Sequence, residues 1–253
     1  MIRGVEASGV PYEVISPSDV YTKDLKESDN TIVYGTIGSA NYLSRKYGYR
    51  SWCDLPNLKC SKYFPHYYEF LFNRNGVFLP LELVIRGYRD YNNSYTLFGY
   101  EGGEECIFIR PDSNDKAFTG YIATVDDLEK LKEAVGGEVM CYISPPNKDV
   151  YEAINYREYR FCIHNSKVVT GSRYLPEESG DIPIYVLEKA EEVAKIKYDG
   201  QPEIFVLDLI EDKLTEDVYL LELGAINTAG WYLMDPIKIV EACNEEASVS
   251  YSI

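Results

Sequence analysis

Residues 157–174 read REYRFCIHNSKVVTGSRY, two runs of β character joined at Asn165-Ser166. This is the pattern of a β-hairpin closed by a two-residue turn. A regular antiparallel register then pairs His164 with Lys167, Cys162 with Val169, Arg160 with Gly171 and Glu158 with Arg173. Because side chains alternate between faces, Glu158, Arg160 and Arg173 are expected on one side, with Gly171 leaving room beside Arg160. Tyr159, Phe161 and Ile163 fall on the other side, as a core face requires. Two guanidinium forks and a carboxylate on one sheet face suit a phosphate or carboxylate ligand. The same spacing also describes a surface cross-strand ion pair of little energetic weight.

Downstream, Ile204–Leu209 and Val218–Leu223 read as strands around an acidic loop, Glu211–Asp217. Asp208 and Glu222 lie inside their apolar runs, FVLDLI and YLLELG, where a lone carboxylate is costly unless paired or metal-bound. Pairing Ile210 with Val218 puts both acids on one face, an arrangement suited to Mg²⁺ bridging nucleotide phosphates. Outward-facing acids on an edge hairpin are the alternative.

Upstream, Cys106–Ile109 is a short buried-strand run that ends in Arg110-Pro111 and a polar loop carrying Lys116. Both cations can serve one phosphate chain and stabilise charge during phosphoryl transfer. Thr124 and Asp127 form a capping box for a helix with Leu128, Leu131 and Val135 on one face, ended by Gly136-Gly137. A strand over Glu138–Ile143 then stops at the hinge-like Ser144-Pro145-Pro146. Pro183–Lys197 reads as a helix, and Pro236 opens a last one. The segment up to the Asn75-Gly76 turn predicts strands near Tyr12–Ile15 and Thr31–Tyr34, then a helix over Ala40–Lys46. Gly35 and Gly38 between them fit a tight turn better than a phosphate loop, since neither GxxxxGK[ST] nor GxGxxG is present. Helices and antiparallel strand pairs in this mixture predict an α+β fold.

Composition narrows the function. With 253 residues and 45% hydrophobic content the chain can bury a sizeable core. No apolar run is long enough for a membrane span or an export signal, so a cytoplasmic location is expected. A formal charge of −16 disfavours a nucleic-acid partner. Six cysteines without CxxC spacing predict buried thiols, and two histidines, His66 and His164, are too few for a histidine-rich metal centre.

In order, IFIRPDSNDKAFTG, the Pro-rich hinge, REYRF, VVTGSRY and LLELGAINTAGWY resemble the ATP-grasp superfamily, closest to a small, largely phage-encoded branch with two signature arginines and a lysine. The resemblance covers residues 79–253 as an ATP-grasp domain, with subdomains at 79–143 and 144–253, after a small α/β pre-ATP-grasp domain over 1–78. It implies that Arg110 and Lys116 contact the nucleotide phosphates and that Val139, Cys141 and Ile143 line the adenine with backbone groups. It implies further that Glu158, Arg160 and Arg173 hold nucleotide, phosphate or acyl phosphate, and that Asp208 and Glu222 bind magnesium. Relatives commonly read E-x-N, whereas Glu222 is followed by Leu223-Gly224; either Asn227 supplies the missing ligand or one metal is held. The activity implied is an ATP- and Mg-dependent ligase that joins a small-molecule or peptide carboxylate to an amine through an acyl phosphate, releasing ADP. The E-x-G departure and the charge also admit a non-catalytic acidic nucleotide-binding protein on the same frame. Lys197-Tyr198-Asp199-Gly200 spells the KxDG of nucleotidyltransferases, but it reads more simply as a helix-ending turn.

Overall fold

The structure is a computed structural model, and it describes residues 2–90, 106–146 and 155–249. The strands are β1 (Val77–Pro80), β2 (Cys106–Pro111), β3 (Tyr121–Thr124), β4 (Met140–Ser144), β5 (Tyr156–His164), β6 (Lys167–Leu175), β7 (Ile204–Asp212) and β8 (Val218–Gly224). The helices are α1 (Ile2–Ser8), α2 (Ile37–Tyr47), α3 (Cys60–Tyr67), α4 (Leu81–Asp90), α5 (Val125–Val135), α6 (Ile184–Val193) and α7 (Pro236–Val249). They build two antiparallel sheets, ordered β1-β4-β2-β3 and β6-β5-β7-β8.

The first sheet packs α4 and α5 over a core of Leu81, Val84, Ile107, Ile109, Leu128, Cys141 and Ile143. Helix α5 begins where the sequence predicts it: the Thr124 side chain accepts from the Asp127 backbone amide while Asp127 accepts from that of Thr124. It ends at Gly136, whose φ of 89° lies in the region that only glycine enters freely. Strand β4 runs from Met140, two residues later than expected, and reaches Ser144 before the proline pair. The remainder of the expected hinge, 147–154, lies outside the described residues.

In the hairpin β5-β6 the Asn165-Ser166 turn is present, both residues having positive φ, and His164 pairs with Lys167. The regular register ends there. Shifts between Cys162 and Ile163 and again between Glu158 and Tyr159 set Cys162 against Thr170, Phe161 against Gly171, Arg160 against Ser172 and Tyr159 against Arg173. Sterics account for this: a Cβ at Gly171 would stand 2.4 Å from the Phe161 ring, so the glycine makes room for Phe161 and not for Arg160. Between β7 and β8 a further shift at Asp208/Leu209 pairs Ile210 with Tyr219, not Val218, and brings Asp208 directly opposite Glu222.

The N-terminal segment departs most from expectation. Residues 12–15 form no strand, and Thr31–Tyr34 contributes only an isolated bridge between Ile32 and Arg50. Helix α2 is longer than expected, begun by the Thr36 side chain on the Ser39 amide and ended at Gly48. This segment has no separate core among the described residues. Leu43, Tyr47, Leu58, Tyr63 and Tyr67 pack with Tyr159, Phe161, Leu207, Leu209 and Leu223 of the second sheet. A boundary at 78/79 would also cut β1, which begins at Val77 after the turn at Asn75-Gly76 and pairs with β4. Among the described residues, no helix is long and apolar enough to cross a membrane. All six cysteines are unpaired and five are buried.

Candidate functional site

Arg110 ends β2 in the first sheet and reaches across to the second, where Nη2 lies 2.7 Å from Glu222 Oε2 and Nη1 donates to the Leu221 carbonyl at 3.0 Å. The loop after β2 carries Lys116, with its Nζ 3.2 Å from Glu222 Oε1. Asn114 in the same loop donates to the Leu223 carbonyl at 2.6 Å, and the Tyr63 hydroxyl accepts from the Leu223 amide at 3.2 Å. The backbone on the far side of Glu222 is thus clamped by two other segments of the chain.

On β5, Arg160 takes Asp208 in a fork: Nε donates to Oδ1 at 2.7 Å and Nη2 to Oδ2 at 2.6 Å, while Nη1 donates to the Gly230 carbonyl at 3.3 Å. Glu158, two residues earlier, accepts from the Tyr174 hydroxyl. The Arg160 guanidinium carbon lies 5.2 Å from the Tyr174 ring centre and 5.3 Å from that of Tyr232. Tyr174 and Tyr232 were not singled out in the sequence. The shift at Glu158/Tyr159 turns Tyr174 towards Glu158 in place of Arg173, and no spacing rule announces such a shift.

The result is a cluster of three cations, Arg110, Lys116 and Arg160, among three carboxylates, Glu158, Asp208 and Glu222. Burial works against the ionised form of Glu222, but Arg110 and then Lys116 overcome it and hold the carboxyl down at about 2. At Asp208 burial wins and pushes the carboxyl up, an effect that Arg160 offsets in part. Glu158 is also pushed up by burial, against the pull of the Tyr174 hydroxyl. Arg110 Nε is buried with no hydrogen-bond partner among the described residues, so one donor in the cluster is uncommitted.

Five expected residues are not brought in. Arg173 sits opposite Tyr159, and its Nε donates to the Glu177 carbonyl at 3.1 Å. Asn227 has both ends of its amide engaged elsewhere, Nδ2 donating to the Val33 carbonyl at 2.6 Å and Oδ1 accepting from the Trp52 amide at 2.7 Å. It is 2% exposed and fastens the N-terminal segment instead of facing the two acids. Cys141 and Ile143 lie on an inner strand paired on both sides, and their side chains fill the first core, so their backbone is committed to the sheet. Val139 precedes that strand, and its carbonyl accepts from the Leu81 amide at 2.9 Å. Lys197, of the KxDG sequence, stands 63% exposed, 3.8 Å from Glu203, before a turn closed by the Gln201 amide on the Tyr198 carbonyl with Gly200 at φ 79°.

A pair of α+β sheets with cations from one crossing to paired carboxylates on the other is the frame of an ATP-grasp protein. The second family of the ATP-grasp clade named for two arginines and a lysine matches residues 90–242, and the chain belongs to it. Among solved structures the chain is similar to D-cycloserine synthetase DcsG, with 8% identity, TM-score 0.54 and coverage of 97% of this chain and 93% of that one. It also matches the ATP-grasp ligase PsnB complexed with precursor peptide PsnA2 and AMPPNP, with 10% identity, TM-score 0.42 and 78% of this chain covered. The match spans 58% of PsnB's length. D-alanine-D-alanine ligase from Helicobacter pylori shares 14% identity with TM-score 0.49, over 76% of this chain and 58% of that one. At such identities the likeness is one of fold. Among curated proteins nothing matches.

Two outcomes follow. Asn227→Ala leaves the Val33 carbonyl and the Trp52 amide unpaired, at roughly 2–4 kcal/mol. The melting temperature without nucleotide or metal should therefore fall by about 5 °C or more; an unchanged melting temperature with weaker magnesium binding would restore Asn227 as a ligand. Glu222 has a lowered carboxyl, so its stabilising contribution is complete above about 4.5 and disappears as pH falls towards about 2. The stability gap between wild type and Glu222→Gln should close over that interval in urea denaturation, and a gap independent of pH would refute the assignment.

Proposed function

We propose that the protein is an ATP- and Mg²⁺-dependent ligase that activates a carboxylate as an acyl phosphate and joins it to an amine, releasing ADP and phosphate. The supporting observation is the meeting of Arg110, Lys116 and Arg160, drawn from both sheets, around the facing pair Asp208 and Glu222. Membership of the ATP-grasp family supports the same reading.

The donor set fits a hard cation with a polyphosphate. Asp208 and Glu222 offer carboxylate oxygens from adjacent strands, and Arg110 keeps an uncommitted N–H. These two acids would hold Mg²⁺, which at a triphosphate supplies charge neutralisation. Arg110 and Lys116 would turn to the phosphates of the nucleotide, and Arg160 to the transferred phosphoryl group or the acyl phosphate. A carboxylate oxygen attacks the γ-phosphorus and ADP leaves; an amine then attacks the acyl carbon, loses a proton and expels phosphate. No protein nucleophile is needed, and the residues contribute position and charge complementarity. In this reading Arg173 and Asn227 serve the scaffold.

Incubation with ATP, Mg²⁺ and pooled carboxylates and amines, followed by mass spectrometry, should yield ADP and a new amide. AMP in place of ADP would contradict the mechanism. Nucleotide binding with no turnover of any pair would leave a nucleotide-binding protein on this frame, the reading that the engagement of Asn227 favours. Arg160→Ala should reduce turnover by about a hundredfold or more, whereas Arg173→Ala should stay within about threefold of wild type, since Arg173 faces away from the cluster.

A second outcome concerns coupling. Every cation that would meet phosphate is already bound to a carboxylate that would meet metal. Metal alone must displace cations, and nucleotide alone must strip counter-charge from buried acids; together they exchange partners at no net loss. Calorimetry should show ADP and Mg²⁺ each binding weakly alone and tightly together. Glu222→Gln, which releases Arg110 and Lys116, should tighten metal-free ADP by about tenfold while abolishing the effect of metal. Equal affinity for ADP with and without Mg²⁺ in the wild type would remove the basis for this exchange.

A further inference from the structure

The most enclosed cation of the cluster is Arg160, 7% exposed, with its donors turned to Asp208 and the Gly230 carbonyl. Two tyrosine rings accompany its guanidinium, stacked on each other at 4.9 Å between centres and 11° between planes. The rings differ in what holds them. Tyr174 is half-buried and tied through its hydroxyl to Glu158. Tyr232 is 42% exposed, and its hydroxyl makes no hydrogen bond among the described residues.

Burial therefore does not account for the position of Tyr232, and its backbone makes the position costly. Its φ is 48°, in the left-handed region where a bulky residue is an outlier. The turn is closed by the Met234 amide on the Trp231 carbonyl at 2.9 Å, and both flanking residues, Trp231 and Met234, are buried. Gly230 lets the ring fold back: a Cβ there would meet Tyr232 Cζ at 3.4 Å. The same loop descends from β8, which carries Glu222, and presents the Gly230 carbonyl to Arg160. Leu233, 54% exposed, continues the apolar surface beyond the ring. A strained turn anchored on both sides thus holds an aromatic face open to solvent beside the arginine assigned to the acyl phosphate. Strain kept in this way is characteristic of ligand-contacting positions.

We infer that Tyr232 is a substrate-binding residue, the platform on which the acid substrate lays a planar aromatic group, so that the carboxylate donor is an aromatic amino acid or a peptide ending in one. The substrate ring extends the Tyr174–Tyr232 stack by one member, an arrangement aromatic rings favour in offset geometry, and the carboxylate is directed to the Arg160 side of the stack. This rests on the ligase reading, in which Arg160 receives the acyl phosphate.

The test is calorimetric binding of free phenylalanine, tyrosine and tryptophan against leucine, alanine and glutamate, in the presence of Mg²⁺ and ADP. It uses wild type, Tyr232→Phe and Tyr232→Leu. The aromatic set should bind about fivefold or more tighter than leucine to wild type and to Tyr232→Phe, which keeps the plane. Tyr232→Leu, which keeps apolar volume but no plane, should lose that preference while its affinity for Mg·ADP stays within about twofold of wild type. A wild type that binds Mg·ADP but does not discriminate among the six acids would overturn the platform alone. A preference that survives in Tyr232→Leu would do the same. A wild type that binds no Mg·ADP would overturn the ligase reading, and this inference with it.

Discussion

Three cations and three carboxylates cannot be gathered in a mostly enclosed space unless each is matched, because an unpaired buried charge costs several kcal/mol. That constraint governs the architecture around the cleft. Arg110 must leave its own sheet to meet Glu222 on the other, and it is this pairing, with the Asn114 bond to Leu223, that ties the two sheets together beside the cluster. Arg160 and Asp208, neighbours across β5 and β7, satisfy each other within one sheet. The interactions that hold the cluster together are the ones a nucleotide and a cation would replace, so the scaffold is charge-balanced both before and after exchange.

The N-terminal segment takes part in this arrangement although it carries none of the six charges. The Asp112 carboxylate, two residues past Arg110, accepts from the Ser61 amide and hydroxyl at the start of α3, fixing the loop that continues to Lys116. Asn227 binds the segment at Val33 and Trp52 and so sets the start of the loop that ends in Tyr232. Tyr34 donates to the Ala229 carbonyl and packs edge-on against Trp231, at 5.0 Å between ring centres. Both loops that border the cluster are thereby held from outside the two sheets. A segment recruited to support loops needs no regular sheet of its own, which explains why two strands expected there are missing.

What the sequence makes legible here is whatever depends on local rules. The capping box at Thr124, the turn at Asn165-Ser166, the apolar runs that became β5, β7 and β8, and the placement of Asp208 and Glu222 on one face all follow from spacing and residue type. What it conceals depends on interruptions of those rules. The shift at Asp208/Leu209 moves the two acids from diagonal to directly opposed. The shifts in the first hairpin exchange Arg173 for Tyr174 on the site face and give Gly171 to Phe161. A strand read at period two has its side chains reversed by each inserted residue. The chemistry of this cleft sits next to such insertions, so pattern reading finds the strands and misassigns some of the side chains. Asn227 fails for a different reason: an asparagine near a metal-binding acid and an asparagine stapling a distant segment look alike until the partners of its amide are known.

The overall charge bears on the same cluster. At −16 the chain opposes the approach of any polyanion, yet the cations that would receive one are few and local. Screening resolves the conflict by distance. At physiological ionic strength the Debye length is about 8 Å, so most of the acidic surface is felt only weakly within the cleft, where Arg110, Lys116 and Arg160 are in direct contact range. During approach the opposition is larger, and it falls harder on a free triphosphate than on its magnesium complex, which carries less negative charge. Inside the cleft the balance of three against three rejects either component arriving singly. The acidic envelope and the internal neutrality therefore act in the same direction, selecting a nucleotide that enters already joined to its metal.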